Sequence, residues 1–147
     1  MTLEDITRKM KAARDGGELL QAIDLAQKGA ALATDPDDVA RLRIDEVIML
    51  ARAASHAEAE EKYRSYKLDT LDHPDAKSLG ARLEKDLGLT AEGEARRRRL
   101  TASRDLYLEI CRSNDPDWDR TAYEYNGVNA VTLSHFLGDM GPVETLA

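Results

Sequence analysis

The chain is 147 residues long, the size of one ordinary domain, and 21 Lys+Arg against 28 Asp+Glu give a net charge of −7. That acidic balance excludes a general binder of nucleic-acid backbones, which needs a basic face to displace counterions. A single cysteine, Cys111, excludes an internal disulfide framework and a multi-cysteine metal site.

Aromatics are only 5% of a chain that is 42% hydrophobic, so the apolar mass is Leu, Ala, Val and Ile, which suits closely packed helices. In chain order, Thr2 followed by Asp5 reads as a capping box opening a short first helix. Leu19, Ala22, Ile23, Ala26, Ala30 and Ala33 then share one helical face. Asp35-Pro36-Asp37-Asp38 breaks that helix and caps the next, whose stripe is Ala40, Ile44, Val47, Ile48 and Ala51. Further helices are expected from about His56 to Tyr66, Ala76 to Leu87, Glu94 to Arg112 and Thr121 to Leu137. The breaks at Gly16-Gly17, Asp69 to Pro74, Gly88 to Gly93 and Ser113 to Asp119 have the length of interhelical connections. No alternating run is long enough for a strand. The expectation is one helical domain over 1–139 with a tail at 140–147. The N-terminus is charged at once, and no window approaches the roughly 20 apolar residues of a membrane span, so no membrane partner and a cytoplasmic location are expected.

Self-comparison adds a repeat. Gln21-Ala22-Ile23-Asp24-Leu25-Ala26-Gln27-Lys28 lies over Glu58-Ala59-Glu60-Glu61-Lys62-Tyr63-Arg64-Ser65, 37 residues later. That offset belongs to helix-hairpin repeats. A small residue, Ala22 or Ala59, lets the second helix of a hairpin approach the first, and Ala26 or Tyr63 packs four positions on. Ala22-Ile23 through Asp35-Pro36 reads as the second half of a tetratricopeptide repeat, and a degenerate third unit runs through Ser103, Tyr107 and Ile110.

The usual chemistry is missing. His56, His73 and His135 are scattered, with no ligand pair on one helix face, so no metal is expected. Asp69, Asp72, His73 and Asp75 read as a solvated turn capping the following helix. Cys111 shares a stripe with Leu100 and Tyr107 and reads as a buried thiol. No nucleophile-elbow, P-loop or dinucleotide fingerprint occurs, so neither a cofactor nor catalysis is expected. Two segments stand out. Arg96-Arg97-Arg98-Arg99 is either a dock for an acidic segment or phosphate, or a solvated helix start paired with Glu92 and Glu94. It sits where cations oppose a helix macrodipole. In Tyr123 to Leu133, Asn126 and Asn129 share what the pattern makes a packing face. They form either a hydrogen-bonded lock between helices or, with Tyr123 and Tyr125, a ligand or partner site, and Gly127 would permit close helix approach.

Leu83-Glu84-Lys85-Asp86-Leu87, the helix Ala102 to Tyr107, Tyr125 to Thr132 and Gly138-Asp139 follow one another in order. With them the sequence resembles the tetratricopeptide-like TRAFs-binding domain. That domain occurs in the central regulatory region of some mitogen-activated protein kinase kinase kinases and in bacterial multidomain proteins. Val128 and Val131 depart from the family's Ile and Ala. The resemblance covers about Leu19 to Asp139, and it implies a bacterial-type regulatory or scaffolding module of a signalling or effector protein, not an active site.

The expected fold is therefore all-α: about seven helices in antiparallel hairpins, stacked as a short right-handed tetratricopeptide-like solenoid. The expected function is protein–protein interaction, with a peptide or helix received in a concave face. The alternative is a sensor of a small, nucleotide-like anion, using Tyr123 to Asn129 and the arginine run. Because the family continues beyond Gly-Asp, the stripe of Ala130, Leu133, Phe136 and Leu137 is expected to lack a covering hairpin. A second copy forming a homodimer, a partner helix or the 140–147 tail would then cover Leu133, Phe136 and Leu137.

Overall fold

The computed structural model describes residues 1–113, 120–139 and 141, with the backbone alone over 120–124. The described residues form seven α-helices and one 3₁₀ turn, and no strand. Chain contacts fall into two compact units, Met1–Thr70 and Leu71–Ala147. The expected 140–147 tail lies outside the described residues except for residue 141.

The first unit holds α1 (Leu3–Asp15), α2 (Leu19–Leu32), α3 (Pro36–Arg52), α4 (His56–Ser65) and a 3₁₀ turn, Leu68–Thr70. Local chemistry sets the boundaries. Thr2 accepts from the Asp5 N–H while Asp5 reaches back to the Thr2 N–H, completing the capping box. Asp35 accepts from the Asp37 N–H with Pro36 at the first helical position. Successive helices joined by such short connections pack antiparallel, and they enclose Met10, Ala22, Ala26, Val47, Met49 and Ala59 completely or nearly so. Ala22 and Ala59, the repeat's small positions, are both wholly buried. At Gly29 an added Cβ would come within 3.1 Å of Leu42 and 3.3 Å of Ile6, so α2 presses closest there. α4 contributes only Ala59 to the buried set. Its ends are turned by Ala54 and Lys67, non-glycine residues held at φ 61° and 56°, a left-handed conformation that costs roughly 1–2 kcal/mol per residue.

The second unit holds α5 (Pro74–Thr90), α6 (Gly93–Arg112) and α7 (Arg120–Leu137). The His73 ring Nδ1 accepts from the Asp75 N–H and caps α5, so this acidic turn is indeed a helix start. Ala81, Leu100, Tyr107, Leu108, Ala130 and Leu133 form the core, flanked by Leu106 and Leu137. Ser103, the third repeat's small position, is wholly buried and donates to the Ala81 carbonyl at 2.6 Å. The close approach expected at Gly127 occurs elsewhere. A Cβ on Gly127 would meet only Cys111 Sγ at 3.9 Å, whereas one on Gly88 would strike Leu100 at 2.8 Å. Gly88 is where α5 and α6 cross. Gly138, at φ 72°, ends α7: its N–H reaches the His135 carbonyl and the Asp139 N–H reaches that of Ser134, a Schellman closure. Asp139 then accepts from Arg104 on α6 at 3.1 Å. The Gly138-Asp139 pair is thus a helix stop tied to its neighbour.

Candidate functional site

The polar residues singled out in the sequence gather chiefly along the seam between α5 and α7. Asn126 is buried, and its Oδ1 accepts from the Ser78 hydroxyl at 3.2 Å. Asn129 is half-buried: Oδ1 accepts from Lys85 Nζ at 3.0 Å, and Nδ2 donates to the Tyr125 carbonyl at 2.9 Å. Both amides are therefore engaged between helices. Beneath them Tyr107 of α6 is wholly buried, with the Tyr125 ring edge-on at a centroid distance of 6.4 Å and Lys85 Nζ 5.9 Å from its own centroid. Burial, then the neighbouring Tyr125 and Asp86, push the Tyr107 phenol well above its ordinary range, so it stays protonated. The side chain of Tyr123 lies outside the described residues.

The arginine run is divided among different tasks. Arg96 Nη1 donates to the Leu89 carbonyl at 3.2 Å, and its guanidinium lies 5.0 Å from the centroid of the Phe136 ring. Arg99 pairs with Glu84 at 3.4 Å. Both reach neighbouring helices. Arg97 and Arg98 are exposed. Arg96 meets α7 at Phe136, ten residues and about 15 Å of helix from Asn126. The run and the asparagines therefore do not converge on one ligand.

The expected uncovered stripe also divides. Ala130 and Leu133 are buried and Leu137 packs against the same core, because positions 126, 130, 133 and 137 face α5 and α6. Leu133 is thus core, not interface. Phe136, one residue and about 100° away from Leu137, is 55% exposed. Among the described side chains, the outer face of α7 presents Tyr125, Val128, Val131, Thr132, His135 and Phe136, all exposed, with no Asp, Glu, Lys or Arg between them.

A third cluster escaped the sequence reading. Glu46 on α3 is 1% exposed. Its carboxylate accepts from Gln27 Nε2 of α2 at 2.8 Å and from the Tyr66 hydroxyl at 2.9 Å, and Lys62 of α4 lies at 3.4 Å. Arg43 stacks over the Tyr66 ring at 4.6 Å. A signal was present: Glu46 lies four residues from both Leu42 and Leu50, on the buried stripe of α3.

Cys111 is buried, and desolvation raises its pKa, keeping the thiol protonated. Among the described residues no three His, Cys, Asp or Glu side chains gather as metal ligands, and no helix is long and apolar enough to cross a membrane.

Antiparallel helix hairpins with Ala22, Ala59 and Ser103 buried at their crossings define a tetratricopeptide-type helical-repeat protein. Residues 18–134 match the family model described as Tetratricopeptide Repeats-Sensor, and the chain belongs to that family. No curated protein and no solved structure matches it.

Proposed function

We propose that this chain is a non-catalytic repeat module that binds a protein partner and so regulates or scaffolds a signalling or effector protein. The observation that carries this reading is the outer face of α7. Four of the eight large apolar side chains most exposed among the described residues, Tyr125, Val128, Val131 and Phe136, lie on that one face. Its described side chains include no Asp, Glu, Lys or Arg, in a chain that is 33% charged. Concentrated apolar exposure of this kind marks a recognition surface for an amphipathic helix or peptide. Beyond Phe136 stand Arg96 and the exposed Arg97 and Arg98, which favour a partner with acidic residues at that end. The resemblance to the TRAFs-binding domain supports the regulatory role.

The anion sensor built from Tyr123 to Asn129 with the arginine run has weaker support. Its asparagines are already hydrogen-bonded to α5, and its arginines lie at the other end of α7.

Affinity capture with quantitative mass spectrometry tests the proposal, comparing the wild type with Val128→Asp and Phe136→Asp. Proteins recovered by the wild type and lost by both variants, at unchanged thermal stability, are expected. Identical recoveries would remove α7 as the docking face. Light scattering on the same samples shows whether the captured partner is a second copy of this chain.

A further inference from the structure

The place where α5, α6 and α7 meet holds, among the described residues, a buried hydroxyl without a hydrogen-bond partner and an ammonium without an ion pair. The Tyr107 hydroxyl, wholly buried, has no hydrogen-bond partner among the described residues; Tyr125 stands close, but not in a geometry that completes a bond. A buried O–H in that state forgoes a bond that water would otherwise supply. Lys85 is half-buried, and its ammonium is satisfied by the neutral amide of Asn129, with no ion pair among the described residues. In a chain with 28 acidic residues, an ammonium partnered by an amide instead of a carboxylate is unusual. Arg82, one turn earlier on α5, pairs with Asp86 at 3.5 Å. Among the described side chains, Arg82, Lys85 and Asp86 thus bring two cations and one carboxylate to this seam of an acidic molecule.

We propose that the seam binds the oxyanion of a small ligand, a carboxylate or a phosphate, with Lys85 as the cation and the Tyr107 hydroxyl as a neutral donor. The ammonium has three donors, and Asn129 occupies one. Exchanging a neutral amide for an anion converts an ordinary hydrogen bond into a charge-assisted one, about twice as strong. Asn129 is a positioning residue: it holds Lys85 over the Tyr107 ring while the site is empty. Lys85 Nζ lies 5.9 Å from the centroid of the Tyr107 ring, so an anion held by the ammonium stands beside the side chain that carries the orphaned hydroxyl. Neither Val128 nor Phe136 takes part, so this site and the docking face of α7 can fail separately.

The test uses the intact chain and two probes, inorganic phosphate and acetate, each titrated at constant ionic strength. NMR follows the Asn129 side-chain amide and the Tyr107 ring. Saturating shifts with at least one probe are expected, and the apparent affinity should fall by about tenfold or more in Lys85→Met, which loses the charge-assisted bond. Tyr107→Phe should weaken it less. Saturation by phosphate alone assigns a phosphate site, by acetate alone a carboxylate site, and by both a general oxyanion site. Because Tyr107→Phe deletes only an unpartnered hydroxyl, it should melt at or above the wild-type temperature without ligand, which keeps the test readable if Lys85→Met fails to fold. Shifts that stay linear for both probes overturn the proposal. So does binding that survives both seam variants but disappears in Arg97→Ala/Arg98→Ala.

Discussion

Arg96 joins three helix ends through Phe136: its guanidinium lies 5.0 Å from the centroid of that ring, while Nη1 donates to the Leu89 carbonyl at 3.2 Å. The arrangement explains why four arginines tolerate the start of α6. They oppose the dipole of their own helix, but Arg96 lies against the C-terminal turn of α5, where carbonyls lack helical partners and the partial charge is negative. Arg96→Ala should lower stability by about 1 kcal/mol in urea denaturation. A double-mutant cycle with Phe136→Ala should return a coupling of roughly 0.5 kcal/mol. Zero coupling would reduce the ring contact to mere proximity.

The two asparagines of α7 should separate by burial. Asn126 is buried, and Asn126→Leu removes the acceptor of the part-buried Ser78–Asn126 bond, which should cost about 1–3 kcal/mol. Asn129→Leu should cost less, because Lys85 stays half-exposed and can turn to water. Thermal melts of both variants check the order.

The glycines should separate as well. Gly88→Ala forces Leu100 aside and should cost about 1–3 kcal/mol. Gly127→Ala has room at 3.9 Å and should be neutral or stabilising by up to about 1 kcal/mol, from helix propensity. Urea midpoints measured on the two variants would expose a reversed order directly.

Glu46→Ala should cost about 3 kcal/mol, since three partners from α2, α4 and the turn after α4 lose their common acceptor. Glu46→Gln keeps an oxygen for Tyr66 and should retain part of that stability. Equal losses would assign the whole effect to charge.

The same cluster gives a pH dependence on the alkaline side. Burial, reinforced by the Glu46 carboxylate, raises the Tyr66 pKa above its ordinary 10.0. For Lys62 burial opposes, yet Glu46 and Tyr66 prevail and the pKa rises above 10.5. Raised values in the folded state contribute stability that is complete below the unfolded values and lost as pH climbs through the folded ones. Urea midpoints should therefore drop as the pH climbs above about 10 more steeply in the wild type than in Glu46→Gln.

The helices were legible because their signals are local. Capping chemistry at Thr2 and Asp35, and apolar stripes at helical spacing, depend on neighbours a few residues away. The site was legible only as a set of suspects. Asn126 and Asn129 were recognisable as polar residues on a packing face, but their partners, Ser78 and Lys85, lie 48 and 44 residues away. Arg96 looked misplaced because the helix end that accommodates it belongs to α5. Leu133, Phe136 and Leu137 look like one stripe in the sequence, although a single residue step turns Phe136 out and Leu137 in. The Gly138-Asp139 pair was recognised by likeness, and its physical role emerges only once Arg104 stands opposite Asp139.

The shortest helix, α4, is fastened at its tips more than along its length. It buries one residue, Ala59, between left-handed turns at Ala54 and Lys67, while Lys62 and the following Tyr66 hold it to Glu46. A segment with so little apolar surface to expose opens at a fraction of the free energy of global unfolding. Its amide protons should exchange with solvent ahead of those in α2 and α3. Each such opening would wet Glu46 while leaving Gln27 beside it, and the expected unlatched state is one in which α3 carries a hydrated carboxylate.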